Sequence, residues 1–125
     1  MLVLQMKPME NVCVDQTRLD ALYTQLGEAD AEEILCRALE DIALRLSHCS
    51  ELYHSQDMPE LRRNTRTLIA VGGQIGMLAV TRVATDVVAC IDRGDTIAIA
   101  ATLSRLLRVG ERSLCAVWNS DESPI

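Results

Sequence analysis

Apolar residues recur along most of this chain at spacings of three and four, the period of helices that bury one face. Leu61, Thr65, Leu68, Gly72 and Ile75 form one such stripe, which predicts a helix with these residues inward. Before it, Leu35, Ala38, Leu39, Ile42, Leu46, Cys49 and Tyr53 mark a longer helix, and Leu19, Leu22, Tyr23 and Leu26 a short lead-in. After it, Val80, Val83, Ala84, Val87 and Ile91 give a further helix, and Ile99, Leu103, Leu106, Gly110, Leu114 and Val117 a last one. No segment alternates with the period of a strand.

Breaks in the pattern carry the residues that begin and end helices. Asp15 can cap the lead-in helix and Gly27 can end it. Asp30 followed by Glu33 resembles a capping box for the long helix. Asp57 with Glu60, and Pro59 in the first turn, opens the helix of the Leu61 stripe, and the chain is expected to turn near Gly76. Gly94 closes the fourth helix and Asp95 caps the fifth. Residues 1–14 contain Pro8 and no helical period; an extended arm or a short extra helix fits them. Residues 119–125 read as a flexible tail. The short links make successive helices antiparallel neighbours. The expected fold is all-α: an up-down-up-down four-helix bundle over residues 15–118, with an additional short N-terminal helix.

Composition narrows the class. At 125 residues the chain has room for a single core. Tyr23, Tyr53 and Trp118 are the sole aromatics, which favours packed aliphatic helices over a sandwich. A net charge of −6 opposes nucleic acid as a partner. Cys13, Cys36, Cys49, Cys90 and Cys115 are odd in number, widely spaced and without a Cys-x-x-Cys pair, so neither a disulfide framework nor a metal site is expected. Cys36, Cys90 and Cys115 read as small core residues of a reducing cytosol. The apolar run at residues 1–5 is too short for a membrane span or signal. A cytoplasmic protein with no membrane partner is expected.

Opposite the Leu61 stripe lies an unusual surface. At roughly 100° per residue, Arg66 stands about 140° from the stripe and shares the outer face with Arg62, Arg63, Ala70, Gly73 and Gln74. Long cations beside Ala70 and Gly73 leave room for another protein's backbone, the geometry of a docking site. The segment resembles the central helix of histidine-containing phosphotransfer (HPt) domains, whose hallmark is His-x-Leu-Lys-Gly with a further glycine about two turns on. Here Leu68 takes the place of the leucine and Gly76 that of the later glycine, while Arg66 replaces the histidine, Ile69 the lysine and Ala70 the glycine. The resemblance extends to Asp15-Gln16-Thr17-Arg18-Leu19 with Leu22, Leu26 and Gly27, and to Arg93-Gly94-Asp95; it covers about Asp15 to Trp118.

The resemblance implies a helical bundle that docks the receiver domain of a response regulator, or a histidine kinase, through Arg62, Arg63, Arg66, Ile69, Ala70 and Gly73. It does not imply catalysis. Arginine is always protonated and offers no lone pair to attack phosphorus, and Ile69 brings no cation to a phosphorylated ring. A non-enzymatic pseudo-phosphotransfer module without metal or cofactor is expected. The alternatives are a structural or dimerising bundle, and phosphotransfer through His48. His48 and His54 lie outside the matched motif and read as exposed polar residues.

Overall fold

Each helix of the computed structural model, which describes residues 14–121, starts and stops where the backbone has a reason to do so. Asp15 accepts the backbone N–H of Arg18 at 3.3 Å and opens α1 (Gln16–Leu26). Gly27, at φ 85°, ends it and begins α2 (Glu28–His54) at once: its N–H donates to the Tyr23 carbonyl and its own carbonyl accepts from Ala31. The expected capping box at Asp30 and Glu33 is therefore not the start of this helix. Asp30 lies inside the first turn, where a carboxylate still opposes the positive end of the helix dipole. Asp57 accepts from the Glu60 N–H and opens α3 (Met58–Gln74), with Pro59 in its first turn. Gly94, in the left-handed conformation at φ 69°, closes α4 (Leu78–Arg93). Asp95 then accepts from the Ala98 N–H, and α5 (Thr96–Asp121) runs past residue 118.

The α3–α4 turn depends on a glycine. Gly76 has φ 78°, and a Cβ there would stand 2.9 Å from the Asp15 carbonyl oxygen. That closeness lets Asp15 donate its N–H to the Gly76 carbonyl at 2.7 Å, which ties the start of α1 to the end of α3. Val14 and Met77 form an isolated antiparallel bridge beside it, and no strand forms among the described residues.

Packing follows the predicted stripes. α2 contacts α3, α3 contacts α4, α4 contacts α5 and α5 returns to α2, while α1 lies chiefly against α2. Ile42, Leu61, Leu68, Ile75, Met77, Val80, Val83, Val87 and Leu106 are buried at the centre. The elements of the described residues are thus all helices, with four in a ring around one core and a fifth, α1, on the outside. No helix among the described residues is long and apolar enough to cross a membrane.

Two expectations change. α1 buries Leu19, but Leu22 and Tyr23 are half-buried and Leu26 is exposed, because one neighbouring helix covers only part of an amphipathic face. Cys90 is in the core as expected, whereas Cys36 and Cys115 are exposed. Each follows a stripe residue, Leu35 and Leu114, by one position, and one residue of helix rotates a side chain about 100° away. Asn64, beside the α3 stripe, is buried. Residues 1–13 of the expected arm at 1–14 and the last four residues of the tail lie outside the described residues.

Candidate partner-binding face of α3

α3 is held by a different polar contact on each flank. Towards α2, the buried Asn64 donates from Nδ2 to the Arg45 carbonyl at 2.9 Å and to Cys49 Sγ at 3.2 Å. Its Oδ1 accepts from Arg45 Nη1 at 3.0 Å, and Arg45 Nε donates to Asp41 at 3.1 Å. Both ends of the Asn64 amide are satisfied, which burial of a primary amide requires. Towards α4, Arg62 grips Asp92 with two donors, Nε to Oδ1 at 2.6 Å and Nη2 to Oδ2 at 3.1 Å. The hydrogen bond from Arg62, reinforced by its charge and by that of Arg66, holds the Asp92 carboxyl below its usual range. The same bond and the Asp92 charge raise Arg62 in return.

Between these flanks lies the surface singled out in the sequence. Arg63 is exposed and reaches Glu60 of its own helix at 3.6 Å. Arg66 is exposed at mid-helix and makes no hydrogen bond or ion pair among the described residues. Ala70 and Gly73 are exposed, and a Cβ at Gly73 would meet no heavy atom within 4 Å. Gly72 is the packing glycine instead: a Cβ there would stand 3.3 Å from Thr81 Cγ2. Of the six expected site residues, Arg63, Arg66, Ala70 and Gly73 therefore form an open outward surface. Arg62 turns aside to Asp92, and the half-buried Ile69 packs against the core.

Asp92 is the site residue that sequence reasoning does not find. It lies thirty positions from Arg62 on another helix, and only the antiparallel pairing of α3 with α4 brings it there. The Arg45–Asn64 contact is equally non-local.

The histidines lie elsewhere. His48 is half-exposed on α2, with Nδ1 3.3 Å from Glu51 Oε1. It borders an open depression of about 380 Å³ lined also by Asp41, Leu44, Arg45 and Asn64. His54 meets the Tyr53 ring edge-on, with centroids 5.8 Å apart. Among the described residues no group of three or more His, Cys, Asp or Glu could hold a metal ion.

Chemically, the outward face offers charged donors and open space. Arg66 can make a forked, charge-assisted bond to a carboxylate or phosphoryl group. A hydroxyl on the same helix, that of Thr67, donates back to the Arg63 carbonyl at 3.2 Å. Comparison with family models, curated proteins and solved structures finds no match to this chain.

Proposed function

We propose that this chain is a pseudo-phosphotransfer module. It binds a receiver domain of a response regulator, or a histidine kinase, through the outward face of α3 and modulates a cytoplasmic two-component phosphorelay without carrying phosphate. The observation that carries this reading is Arg66: an exposed guanidinium at the middle of α3, without an ion-pair partner among the described residues, beside the bare surface of Ala70 and Gly73. An exposed arginine alone is ordinary helix surface; its place beside the small Ala70 and Gly73 is what favours docking. An acidic pocket in a partner gains charge complementarity and close approach together.

The fold supports the reading. A ring of four helices joined by short links, with a short helix before them, is compatible with the up-down-up-down HPt-like arrangement that the motif resemblance implies. The residues at the former reactive position support it further. Arg66 cannot accept a phosphoryl group, and Ile69, half-buried against the core, supplies no charge to stabilise one. On this reading the docking surface is kept and the reaction centre is lost.

The test uses receiver domains and histidine kinases from the source organism. Wild-type protein should retain at least one of them in a pull-down, and Arg66→Glu should lose it. Incubation with a phosphorylated receiver should leave the protein unlabelled. Binding that is indifferent to Arg66→Glu would remove the α3 face from the reading. An acid-labile phosphohistidine that disappears in His48→Ala would replace it with an active transfer protein.

A further inference from the structure

Three arginines stand on adjacent turns of α3, yet the structure does not offer them equally. Arg62 already commits Nε and Nη2 to Asp92, the paired donors that fit a carboxylate best. Arg66, one turn further on, commits none among the described residues. We propose that Asp92 is a selectivity residue of this face: it holds Arg62 back towards α4, so that an acidic partner engages Arg66 and must displace an internal carboxylate to reach Arg62. The inference rests on the proposed docking role of the α3 face and concerns how that face discriminates.

Two features favour this role over a purely structural one. The side chains of the pair are 37% and 51% exposed, for Arg62 and Asp92 respectively. Exposed ion pairs add little to stability, and the α3–α4 contact is already made by buried apolar side chains and by Gly72 against Thr81. The pair is also placed to act on approach. Asp92 feels the charge of Arg66 as well as that of Arg62. Its carboxylate therefore weakens the pull of the face on any diffuse acidic surface, while Arg66 remains open to a carboxylate delivered directly to it. Without Asp92, two free arginines one helical turn apart would attract acidic surfaces with less discrimination.

The experiment measures the affinity of the receiver domain retained in the pull-down, by calorimetry at low and at high salt. Arg66→Gln should weaken binding by about tenfold or more, as loss of a central charged contact does. Arg62→Gln should weaken it by clearly less, about threefold or below, because that side chain is already engaged and its loss only leaves the Asp92 charge uncompensated. Asp92→Asn should strengthen binding by roughly three- to tenfold at low salt, with the gain shrinking as salt screens it. In the Asp92→Asn background, Arg62→Gln should then abolish the gain. In the free protein, the Arg62 Nε–H resonance should exchange slowly with solvent and move in Asp92→Asn, while that of Arg66 should stay in fast exchange. An Arg62→Gln loss equal to that of Arg66→Gln, or no gain in Asp92→Asn, would overturn the role of Asp92 and leave the docking face intact. Affinity that ignores Arg66→Gln as well, or no receiver retained at all, would overturn both.

Discussion

Gly110 on α5 lies so close to Leu46 on α2 that a Cβ built on the glycine would stand 2.5 Å from Leu46 Cδ1 and 3.3 Å from its Cγ. Leu46 is buried, and moving its terminal methyls alone does not clear the contact at Cγ. This is the point where α2 and α5 close the ring of helices. Alanine at position 110 gains about 1 kcal/mol of helix propensity and loses about 1–3 kcal/mol to overpacking. Gly110→Ala should therefore lower stability in urea unfolding, by roughly 1 kcal/mol, and a larger side chain by more. Gly73 has the opposite surroundings, with open space and an ordinary helical backbone. Gly73→Ala should raise stability by about 0.5–1 kcal/mol.

Leu68 and Asn64 are both buried on α3 and should fail by different mechanisms. Leu68→Ala empties space in the core and should cost about 2–5 kcal/mol. Asn64→Ala removes the bonds to Arg45 and Cys49 and should cost about 1–3 kcal/mol. Only the second should couple to Arg45→Ala: a double-mutant cycle in chemical denaturation should give at least about 0.5 kcal/mol for Asn64 with Arg45 and near zero for Leu68 with Arg45.

Thiol chemistry separates the cysteines by depth. Burial pushes the Cys49 thiol up, against the lowering influence of its hydrogen bonds with Thr65 and Asn64 and of the Arg45 charge. Cys90 is also buried. With a thiol reagent near pH 8, Cys36 and Cys115 should react in the native protein, and Cys49 and Cys90 only at the rate of unfolding. Peptide mapping of the labelled sites checks this, and rapid native labelling of Cys49 would contradict its place in the core.

The Arg62–Asp92 bond has a definite pH signature. The Asp92 carboxyl titrates lower in the folded chain than in the unfolded chain because Arg62 donates to its charged form. Its contribution to stability is therefore present above the ordinary carboxylate value, near pH 4, and is lost as pH falls through the lowered folded value. Carbon-13 titration of Asp92 should give a midpoint below that of an unstructured aspartate. Arg62→Gln should move it upward, and Asp92→Asn should flatten part of the acid limb of stability while leaving the slope between pH 6 and 8 unchanged.

The helices of this protein are legible in one dimension because a helix's period is local. The Leu61–Ile75 stripe, the Asp15, Asp57 and Asp95 caps and the Gly27 and Gly94 stops each depend on residues within a turn or two. The outward position of Arg66, Ala70 and Gly73 follows from the same arithmetic, since a residue opposite a buried stripe faces away from the core. Even so, the arithmetic overreaches where coverage by a neighbour decides burial, as at Leu26, Cys36 and Cys115. Tertiary structure decided which arginine is free. Arg62 and Arg66 are alike in sequence, and they differ because α4 runs antiparallel beside α3 and delivers Asp92 to one of them. It likewise decided that Gly110 and Gly72 are packing glycines while Gly73 is open. A glycine's role depends on what stands opposite it, and the helix that supplies the neighbour is distant in sequence.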